Sequence, residues 1–398
     1  MRKRIFVEPL WVLHGAQYQM LAYPPEGYEL VATDKPHEKL VKGAARWDVA
    51  QSLLKTSDNI IPMALAKAWL QRFEKPPVGT ALTYAVDHLV FRPEPWVAEV
   101  EYASTLAGVH HKQLRRHRSV VEGALSSPLC RKIICWSEAG RKTLELDLDS
   151  RRFAHKIQLI PYAVPAKEFV KSYDDARVKL LFVGSGVTAA YFMGRGGEIL
   201  EVFAELCTRY SHLEMVVRSD VPPYVKARYG SMANLRIIDT PISREALDAE
   251  FRSADIFLQP SYGTVPFVLV EAMSYELPMV TIDSWANKEY VEDGRTGLVA
   301  RRSSRVPDYY ADSHHPSFLA PDFWDAIRQP DPAALADMAE KIAILIEDPD
   351  LRRRYGRAGR WEVEHGKFSL AKMNESLGKA FDEALADGSG PLASSPNW

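Results

Sequence analysis

The most constraining feature of this 398-residue sequence is the alternation of short apolar segments with longer helical patterns. The short segments are rich in β-branched and aromatic residues, as buried strands are. The ten predicted strands cover residues 4–7, 81–86, 95–102, 132–137, 156–161, 178–184, 213–218, 235–239, 254–260 and 277–283. Strands separated by helices form βαβ units on parallel sheets whose two faces are covered. The sequence therefore predicts an α/β protein.

Two sets of strands are separated by an irregular, polar stretch at residues 161–177. A chain of this length exceeds what one hydrophobic core usually supports, so two domains are expected. We place a Rossmann-like N-terminal domain at 1–165 and a Rossmann-like C-terminal domain at 166–368. A separate C-terminal helix is predicted at 369–386, and the polar tail 387–398 is predicted to be disordered.

Composition argues against several classes of protein. The formal net charge of −2 does not suit general nucleic-acid binding, which needs many phosphate contacts. The three cysteines form no CxxC pair, so neither a zinc knuckle nor a disulfide framework is predicted. The N-terminal apolar run stops at Glu8, too early for a signal peptide, and no apolar stretch approaches the roughly 18 residues of a membrane span. We expect a cytoplasmic protein without a nucleic-acid partner.

The stretch 262–280, YGTVPFVLVEAMSYELPMV, has an apolar helical pattern that contains one acid, Glu271. It follows a predicted strand at its carboxyl end, the edge where doubly wound sheets bind ligands. Pro266 suits a first helical turn, and Thr264 is a candidate cap. The first turn has no acidic side chain, so the positive end of the helix dipole is free for an outside anion. Glu271 lies two turns after Thr264 on the same face, where it can accept hydrogen bonds from hydroxyls.

An anion at a helix start with hydroxyls beside it describes a nucleotide diphosphate and its ribose. A second interpretation is a buried helix whose Glu271 is paired with a neighbouring arginine. The residues alone leave both open.

Residues 254–299, ADIFLQPSYGTVPFVLVEAMSYELPMVTIDSWANKEYVEDGRTGLV, resemble the donor-binding signature of the GT-B glycosyltransferases of family 4. The resemblance extends over about residues 178–383 and is loose in the N-terminal half. It implies a GT-B fold, in which two Rossmann-like domains face a cleft and a C-terminal helix crosses back to the first domain. It also implies a glycosyltransferase that moves a sugar from a nucleotide-diphosphate-sugar donor to a glycan, lipid-linked or small-molecule acceptor. Retention of anomeric configuration and independence of metals and other cofactors are expected.

The resemblance assigns donor-side roles. Glu271 binds the ribose hydroxyls, and Arg195, in the sequence MGRGG, stabilises the diphosphate leaving group. The loop residues that hold the phosphates and the sugar are Gly263, Thr264, Val265 and Pro266. Further donor-side candidates follow the first three strands of the second domain: Gly184, Ser185, Arg218, Thr240, Pro241 and Ile242. The alternatives are solvated surface charges for the two arginines and an ordinary helix start capped by Ser243 for the last three residues.

One position departs from the family pattern. Relatives carry a second glutamate eight residues before Glu271, which touches the transferred sugar, and Gly263 stands there. Two alternative functions follow. One is a nucleotide-sugar-binding protein with weak or lost transferase activity, and the other is a nucleotide-sugar epimerase on the same fold.

The resemblance also suggests acceptor-side residues in the N-terminal domain. His14 and Gly15 stand where relatives have a glycine-bearing loop. Glu99 and Glu101 are two residues apart at a strand end, so they are predicted to share a face. Glu101 stands near a histidine of relatives that meets the donor sugar, and it is the expected catalytic acid that balances positive charge at the anomeric carbon. The alternative is a pair of exposed strand-end acids.

Residues 110–118, HHKQLRRHR, form the densest basic patch of the sequence. Such a patch suits an anionic lipid surface, here the cytoplasmic face of a membrane, or a lipid-phosphate acceptor. The alternative is a solvated, charged face.

Overall fold

The computed structural model describes residues 2–10, 13–33, 62–108, 111–173, 176–184, 192–263, 266–308 and 321–386. The described residues form two compact units. The first unit contains those up to Ala163 together with those from Leu370 onward, and the second runs from Val164 to Ser369. The change from one unit to the other falls inside the irregular stretch 161–177.

The first unit is built on a six-stranded parallel sheet in the order β2-β1-β3-β4-β5-β6. Its strands are β1 (Lys3–Pro9), β2 (Tyr28–Val31), β3 (Thr80–Val86), β4 (Trp96–Val100), β5 (Cys130–Cys135) and β6 (Ile157–Leu159). Strand β4 is buried at every position. A central parallel strand covered on both faces by helices needs such a continuous apolar sequence.

Helices surround this sheet. They are α1 (Gly15–Ala22), α2 (Met63–Leu70), α3 (His111–Arg116), α4 (Arg118–Ser126) and α5 (Glu138–Asp147), with short 3-10 helices at Gln71–Phe73, Ala103–Ala107, Ser150–Arg152 and Ala154–Lys156. Helix α5 begins at a capped end, because the Ser137 hydroxyl accepts a hydrogen bond from the Gly140 N–H at 3.0 Å.

The second unit has its own six-stranded parallel sheet, in the order β12-β11-β10-β7-β8-β9. Its strands are β7 (Val178–Val183), β8 (Leu213–Arg218), β9 (Leu235–Ile238), β10 (Ile256–Gln259), β11 (Met279–Ile282) and β12 (Gly297–Ala300). The strand order reverses between β7 and β10. This reversal is the topological switch point of a doubly wound sheet.

The helices of the second unit often begin at proline, which suits the first turn because its missing N–H would have no partner there. They are α6 (Ile199–Arg209), α7 (Pro223–Tyr229), α8 (Arg244–Ser253), α9 (Pro266–Ser274), α10 (Asn287–Tyr290), α11 (Pro321–Arg328), α12 (Pro332–Glu347) and α13 (Pro349–Glu364), with a 3-10 helix at Met193–Arg195. Side chains cap three of them: Ser243 accepts from an N–H group of α8, Asp331 from N–H groups of α12, and Asp348 from one of α13.

The C-terminal helix α14 (Leu370–Ala386) belongs to the first unit, as predicted. Its Phe381 ring makes edge contacts with Tyr28 and Tyr84, at centroid distances of 5.2 and 6.0 Å. The Asp382 carboxylate accepts hydrogen bonds from the Tyr28 hydroxyl at 2.6 Å and from the Lys3 ammonium at 2.9 Å. Aromatic packing and these polar contacts hold the last helix on the first sheet.

The ten predicted strands are all present, with ends that differ by two residues or fewer. Two strands were not predicted, β2 and β12, and both lie at sheet edges. Each has only four residues. An alternation that short is not distinctive, since β2 contains an exposed glutamate and β12 begins with glycine.

Candidate functional site

The switch point of the second sheet gathers donor-side candidates from several loops. Gly184 directly follows β7, Arg218 ends β8, and the loop before Pro266 follows β10. Since the carboxyl ends of parallel strands meet at one edge of a sheet, these residues share that edge. In the register of the two strands, Val183 lies opposite Arg218, and the Gly184 N–H donates to the Arg218 carbonyl at 2.9 Å.

The glycine-rich turn that contains Arg195 packs against the loop after β10. The Tyr262 N–H donates to the Gly194 carbonyl at 3.1 Å. Gly196 has a φ of +100°, and a Cβ there would lie 2.5 Å from Pro260 Cγ. Only glycine allows this backbone conformation and this close approach together. The structure thus places the Arg195 backbone beside the loop that holds Gly263, and the Arg195 side chain lies outside the described part.

Behind this turn lies a buried carboxyl group that the sequence did not single out. Glu198 is buried, and both of its carboxyl oxygens accept from the Tyr262 hydroxyl, at 3.1 and 3.3 Å. Burial raises the pKa of Glu198 to about 7, with smaller contributions from Glu201 and Asp331. An acid at the start of a helix is common, so nothing in the local sequence indicates that this one is buried.

Glu271 is buried on α9, and it forms an ion pair with Arg244. Burial raises the pKa of Glu271, while the Arg244 guanidinium opposes that rise. The neighbouring arginine of the second interpretation is therefore present. Arg244 is the first residue of α8, directly after the loop of Thr240 and Ile242, so the ion pair lies where that loop ends.

The loop after β9 ends at a capped helix start. Thr240 and Pro241 are exposed, and Ile242 is half-buried. The Ser243 hydroxyl accepts from the Ala246 N–H at 3.2 Å, so the ordinary capped helix start is confirmed. A cap at Ser243 leaves the preceding exposed backbone available to a ligand.

Arg218 is a half-buried cation at the same sheet edge. Among the described residues its Nε has no hydrogen-bond partner, although that atom is buried. Burial lowers the pKa of Arg218, and no described carboxylate opposes that effect. Because a desolvated cation without a partner is unfavourable, an anion bound here would satisfy it.

Several candidates fall outside the described residues. They are Ser185, Thr264, Val265 and, in the basic patch, His110. Gly263 is the last described residue before the gap, and Pro266 is the first after it, where it begins α9 as expected.

In the first sheet the strand order reverses between β1 and β3. His14 and Gly15 follow β1, and both are exposed at the start of α1. The His14 N–H donates to the buried Gln17 side chain at 2.9 Å, and Gln17 Nε2 donates to Glu99 Oε1 at 2.5 Å. The structure therefore brings the His14–Gly15 turn and Glu99 together through Gln17.

Glu99 and Glu101 differ from the expectation of a shared strand face. Strand β4 ends at Val100, so Glu101 lies in the bend that follows, half-buried, with its N–H donating to Asp87 Oδ1 at 2.8 Å. Glu99 has no exposed surface, and burial together with the nearby Asp87 raises its pKa well above the usual range. The alternative of two exposed acids is therefore wrong for Glu99, because its strand lies in the centre of the sheet.

The basic patch spans α3 and α4. Its exposed cations are Lys112, Arg115, Arg116 and Arg118. Arg118 pairs with Glu122 one turn later, and the other three extend into solvent from a helix without acidic residues in its first turn.

Among the described residues, no helix is long and apolar enough to cross a membrane. In the same part of the chain, no group of three or more His, Cys, Asp or Glu side chains is arranged to hold a metal ion.

The sequence of the second unit matches a known family. Residues 177–313 match the family model described as glycosyl transferases group 1. The second unit carries a glycosyl transferases group 1 domain. This group 1 domain contains Arg218, the loop of Thr240 to Ile242, and Glu271, as well as the turn of Arg195.

The wider comparisons agree with this assignment. The alpha-maltose-1-phosphate synthase of Mycolicibacterium smegmatis is 30% identical over 160 residues, which are 40% of this chain and only 34% of that protein. The structure of Anabaena HepE in complex with UDP and glucose aligns with a TM-score of 0.61 at 13% identity, over 96% of this chain and all of that one. The sucrose-phosphate synthase of Thermosynechococcus elongatus aligns with a TM-score of 0.60 at 13% identity, over 97% of this chain and all of that one. Together with the two parallel sheets, these likenesses show the GT-B fold.

Proposed function

We propose that this chain is a glycosyltransferase that moves a sugar from a nucleotide-diphosphate-sugar donor to a glycan, lipid-linked or small-molecule acceptor. The main support for this proposal is that a carboxylate and a cation lie at one sheet edge of the group 1 domain. A buried carboxylate, Glu271, suits ribose hydroxyls, and Arg218, whose buried Nε has no hydrogen-bond partner among the described residues, suits a phosphate. The structural likeness to HepE, whose structure contains UDP and glucose, supports this donor class.

The proposed mechanism is transfer with retention of configuration and without a metal or cofactor. The bond between the anomeric carbon and the diphosphate oxygen breaks, and the acceptor oxygen bonds to that carbon from the same face. The acceptor proton passes to the departing phosphate oxygen. The N-terminus of α9, Arg195 and Arg218 stabilise the negative charge that develops on the diphosphate. Glu101 is proposed to balance the positive charge at the anomeric carbon.

The acceptor is proposed to bind the first unit. Its candidate residues lie at the carboxyl edge of the first sheet, where the strand order reverses. His14 and Gly15 are exposed there, and Glu99 lies beneath them through its contact with Gln17. Glu99 is therefore proposed to support this surface through Gln17, while Glu101 faces the acceptor side.

A second candidate function is donor binding without turnover. The observation that favours it is Gly263, which stands where relatives carry a glutamate that touches the transferred sugar. A glycine cannot supply that contact.

Release of free nucleotide in the presence of candidate acceptors tests the proposal. A glycosyltransferase releases nucleotide at a rate that depends on acceptor, and the product carries the sugar with its configuration retained. Binding of the donor without acceptor-dependent release would support the second candidate and contradict the first. Conversion of the donor into its epimer without any acceptor would instead show an epimerase.

We also propose that the basic patch, 110–118, contacts an anionic surface at the cytoplasmic face of a membrane. Lys112, Arg115 and Arg116 are exposed on one short helix, and such clusters are attracted to anionic lipid. This contact would bring the enzyme to a lipid-linked acceptor.

A further inference from the structure

We propose that Arg244 is a positioning residue for the nucleotide. Its ion pair keeps the Glu271 side chain ionised and in the orientation in which it accepts hydrogen bonds from the ribose hydroxyls. This inference rests on the proposed function, because Glu271 is the ribose ligand in that proposal. The two residues lie on different helices, α8 and α9, and their ion pair is a direct link between those helices.

Arg244 is fixed by more than Glu271. Its Nη2 lies 2.7 Å from Asp248 Oδ1, one turn later on α8, and donates to the Tyr275 hydroxyl at 3.3 Å. Tyr275 is the first residue after α9, and its hydroxyl donates to Asp248. The guanidinium is therefore held by a carboxylate on its own helix, by Glu271 on α9 and by the tyrosine that follows α9, which restricts its orientation.

The surroundings of Tyr275 make this arrangement rigid. Its ring has no exposed surface and stacks on Phe251 of α8, with a centroid distance of 4.9 Å and an interplanar angle of 8°. The Lys167 ammonium lies 4.9 Å from the centre of the same ring and 3.9 Å from Asp248. These packed aromatic rings fix α8 and the end of α9 relative to each other. The carboxylate of Glu271 therefore has one preferred position.

The charged groups that face Glu271 come from two elements. Arg244 and Asp248 are on α8, and Lys167 is in the segment before β7. Burial and Asp248 raise the pKa of Glu271, while Arg244 and Lys167 lower it, and Arg244 is the larger of the two cationic effects. Loss of Arg244 therefore favours the protonated carboxyl, which has one acceptor oxygen fewer for a ribose diol.

The Arg244 side chain is accessible to a ligand, whereas the Glu271 side chain is almost completely buried. The Arg244 side chain is 43% exposed and the Glu271 side chain is 7% exposed. A nucleotide bound at this carboxylate can therefore also contact the exposed part of the guanidinium.

The first experiment measures the dissociation constants of UDP, GDP and ADP by calorimetry at pH 6 and pH 8. The variants are Arg244→Gln and, as a control on the same helix, Arg252→Gln. We expect Arg244→Gln to weaken binding about tenfold at pH 8 and more at pH 6, relative to Arg252→Gln at the same pH. Unchanged or tighter binding by Arg244→Gln would overturn the positioning role while leaving the proposed function intact. If neither these three nucleotides nor CMP and TDP bind the wild type, the proposed function fails and the positioning role fails with it.

The second experiment needs no nucleotide. Melting temperatures are measured from pH 5 to pH 8 for the wild type, Arg244→Gln and the double variant Arg244→Gln/Glu271→Gln. A buried acid with a raised pKa contributes stability below its unfolded pKa, and this contribution is lost as the pH rises through the folded pKa. Arg244→Gln should therefore lose more stability on going to pH 8 than the wild type, and the double variant should not. Parallel profiles for Arg244→Gln and the wild type would show that Arg244 does not control the charge of Glu271.

Discussion

At the scale of single residues, Arg218 is a cation that burial penalises and that no described carboxylate compensates. Folding tolerates such a group at a cost, because the charge has lost part of its hydration. Its place at the end of β8 is the sheet edge where the diphosphate is proposed to bind. A phosphate bound at the sheet edge would supply the missing hydrogen bonds.

Replacement of Arg218 by glutamine should separate the phosphate contact from the nucleoside contact. We expect binding of a nucleoside diphosphate to weaken about 10- to 100-fold, since hydrogen bonds to charged groups are worth about 1.5–3 kcal/mol. Binding of the free nucleoside should not change. Calorimetric titration checks both, with the exposed Arg228→Gln as control. An equal loss for nucleoside and nucleotide would contradict the phosphate role.

Glu198 predicts a pH dependence of stability. Its pKa of about 7 lies above the value of 4.5 for an ordinary glutamate, so its contribution is present below about pH 4.5 and is lost as the pH rises through 7. Glu198→Gln should remove a pH-dependent loss of roughly 3 kcal/mol. Chemical unfolding at pH 5 and pH 8 measures it, with the exposed Glu205→Gln on α6 as control. A wild-type stability that is flat over this range would show that Glu198 is not a buried acid.

Contacts between single residues are also the part of the site that the sequence does not predict. The single acid in an apolar helix pointed to Glu271, but its partner Arg244 stands on another helix, and local spacing cannot identify such a pair. The burial of Glu198 and the contact of Glu99 with Gln17 have the same origin, since both depend on packing between distant segments.

At the scale of elements, the glycine-rich turn and the loop after β10 form one unit of structure. Their contact joins the Gly194 carbonyl to the Tyr262 N–H and leaves no room at Gly196 for a side chain. This contact fixes the position of the Arg195 backbone. The order of predicted strands could place both segments at one sheet edge, but it could not show that they touch.

Gly196→Ala tests this contact, and Gly27→Ala is a matched control. Gly27 has a φ of +82°, and an added Cβ would meet no atom within 4 Å, so it reports backbone strain alone, about 1 kcal/mol. At Gly196 the same strain is joined by a clash with Pro260. We expect a loss of unfolding free energy at least 1 kcal/mol larger than at Gly27, together with weaker nucleotide binding. Equal losses in denaturant unfolding would mean that the turn and the loop do not depend on this contact.

At the scale of the whole molecule, the proposed role of the basic patch predicts selective binding to anionic lipid vesicles. Wild-type protein should sediment with vesicles that contain anionic phosphatidylserine and remain in solution with neutral phosphatidylcholine vesicles. Arg115→Ser/Arg116→Ser should reduce this binding by a factor of about ten or more, since each cation near the surface contributes about 1 kcal/mol. Replacement of the exposed pair Arg354 and Arg357 on α13 serves as control. Equal sedimentation with both lipids would contradict the electrostatic contact.

The fold was predictable because a parallel α/β protein repeats one sequence pattern, a short apolar strand followed by an amphipathic helix. Ten strands and the C-terminal helix could be predicted from apolar runs and helical periodicity. The four-residue edge strands β2 and β12 could not, because β2 contains an exposed glutamate and β12 begins with glycine. The family resemblance supplied the roles of the site residues, which pattern alone does not contain.

The most direct test of the account is a thermal-shift panel of UDP, GDP, ADP, CMP and TDP with their common sugar conjugates, measured on the wild type and on Glu271→Ala. A ligand at about 100 times its dissociation constant adds roughly 2.7 kcal/mol to the folded state. The account predicts that one nucleotide series raises the melting temperature of the wild type and that Glu271→Ala abolishes the rise. A panel in which no nucleotide stabilises the wild type, or in which Glu271→Ala responds as the wild type does, would contradict it.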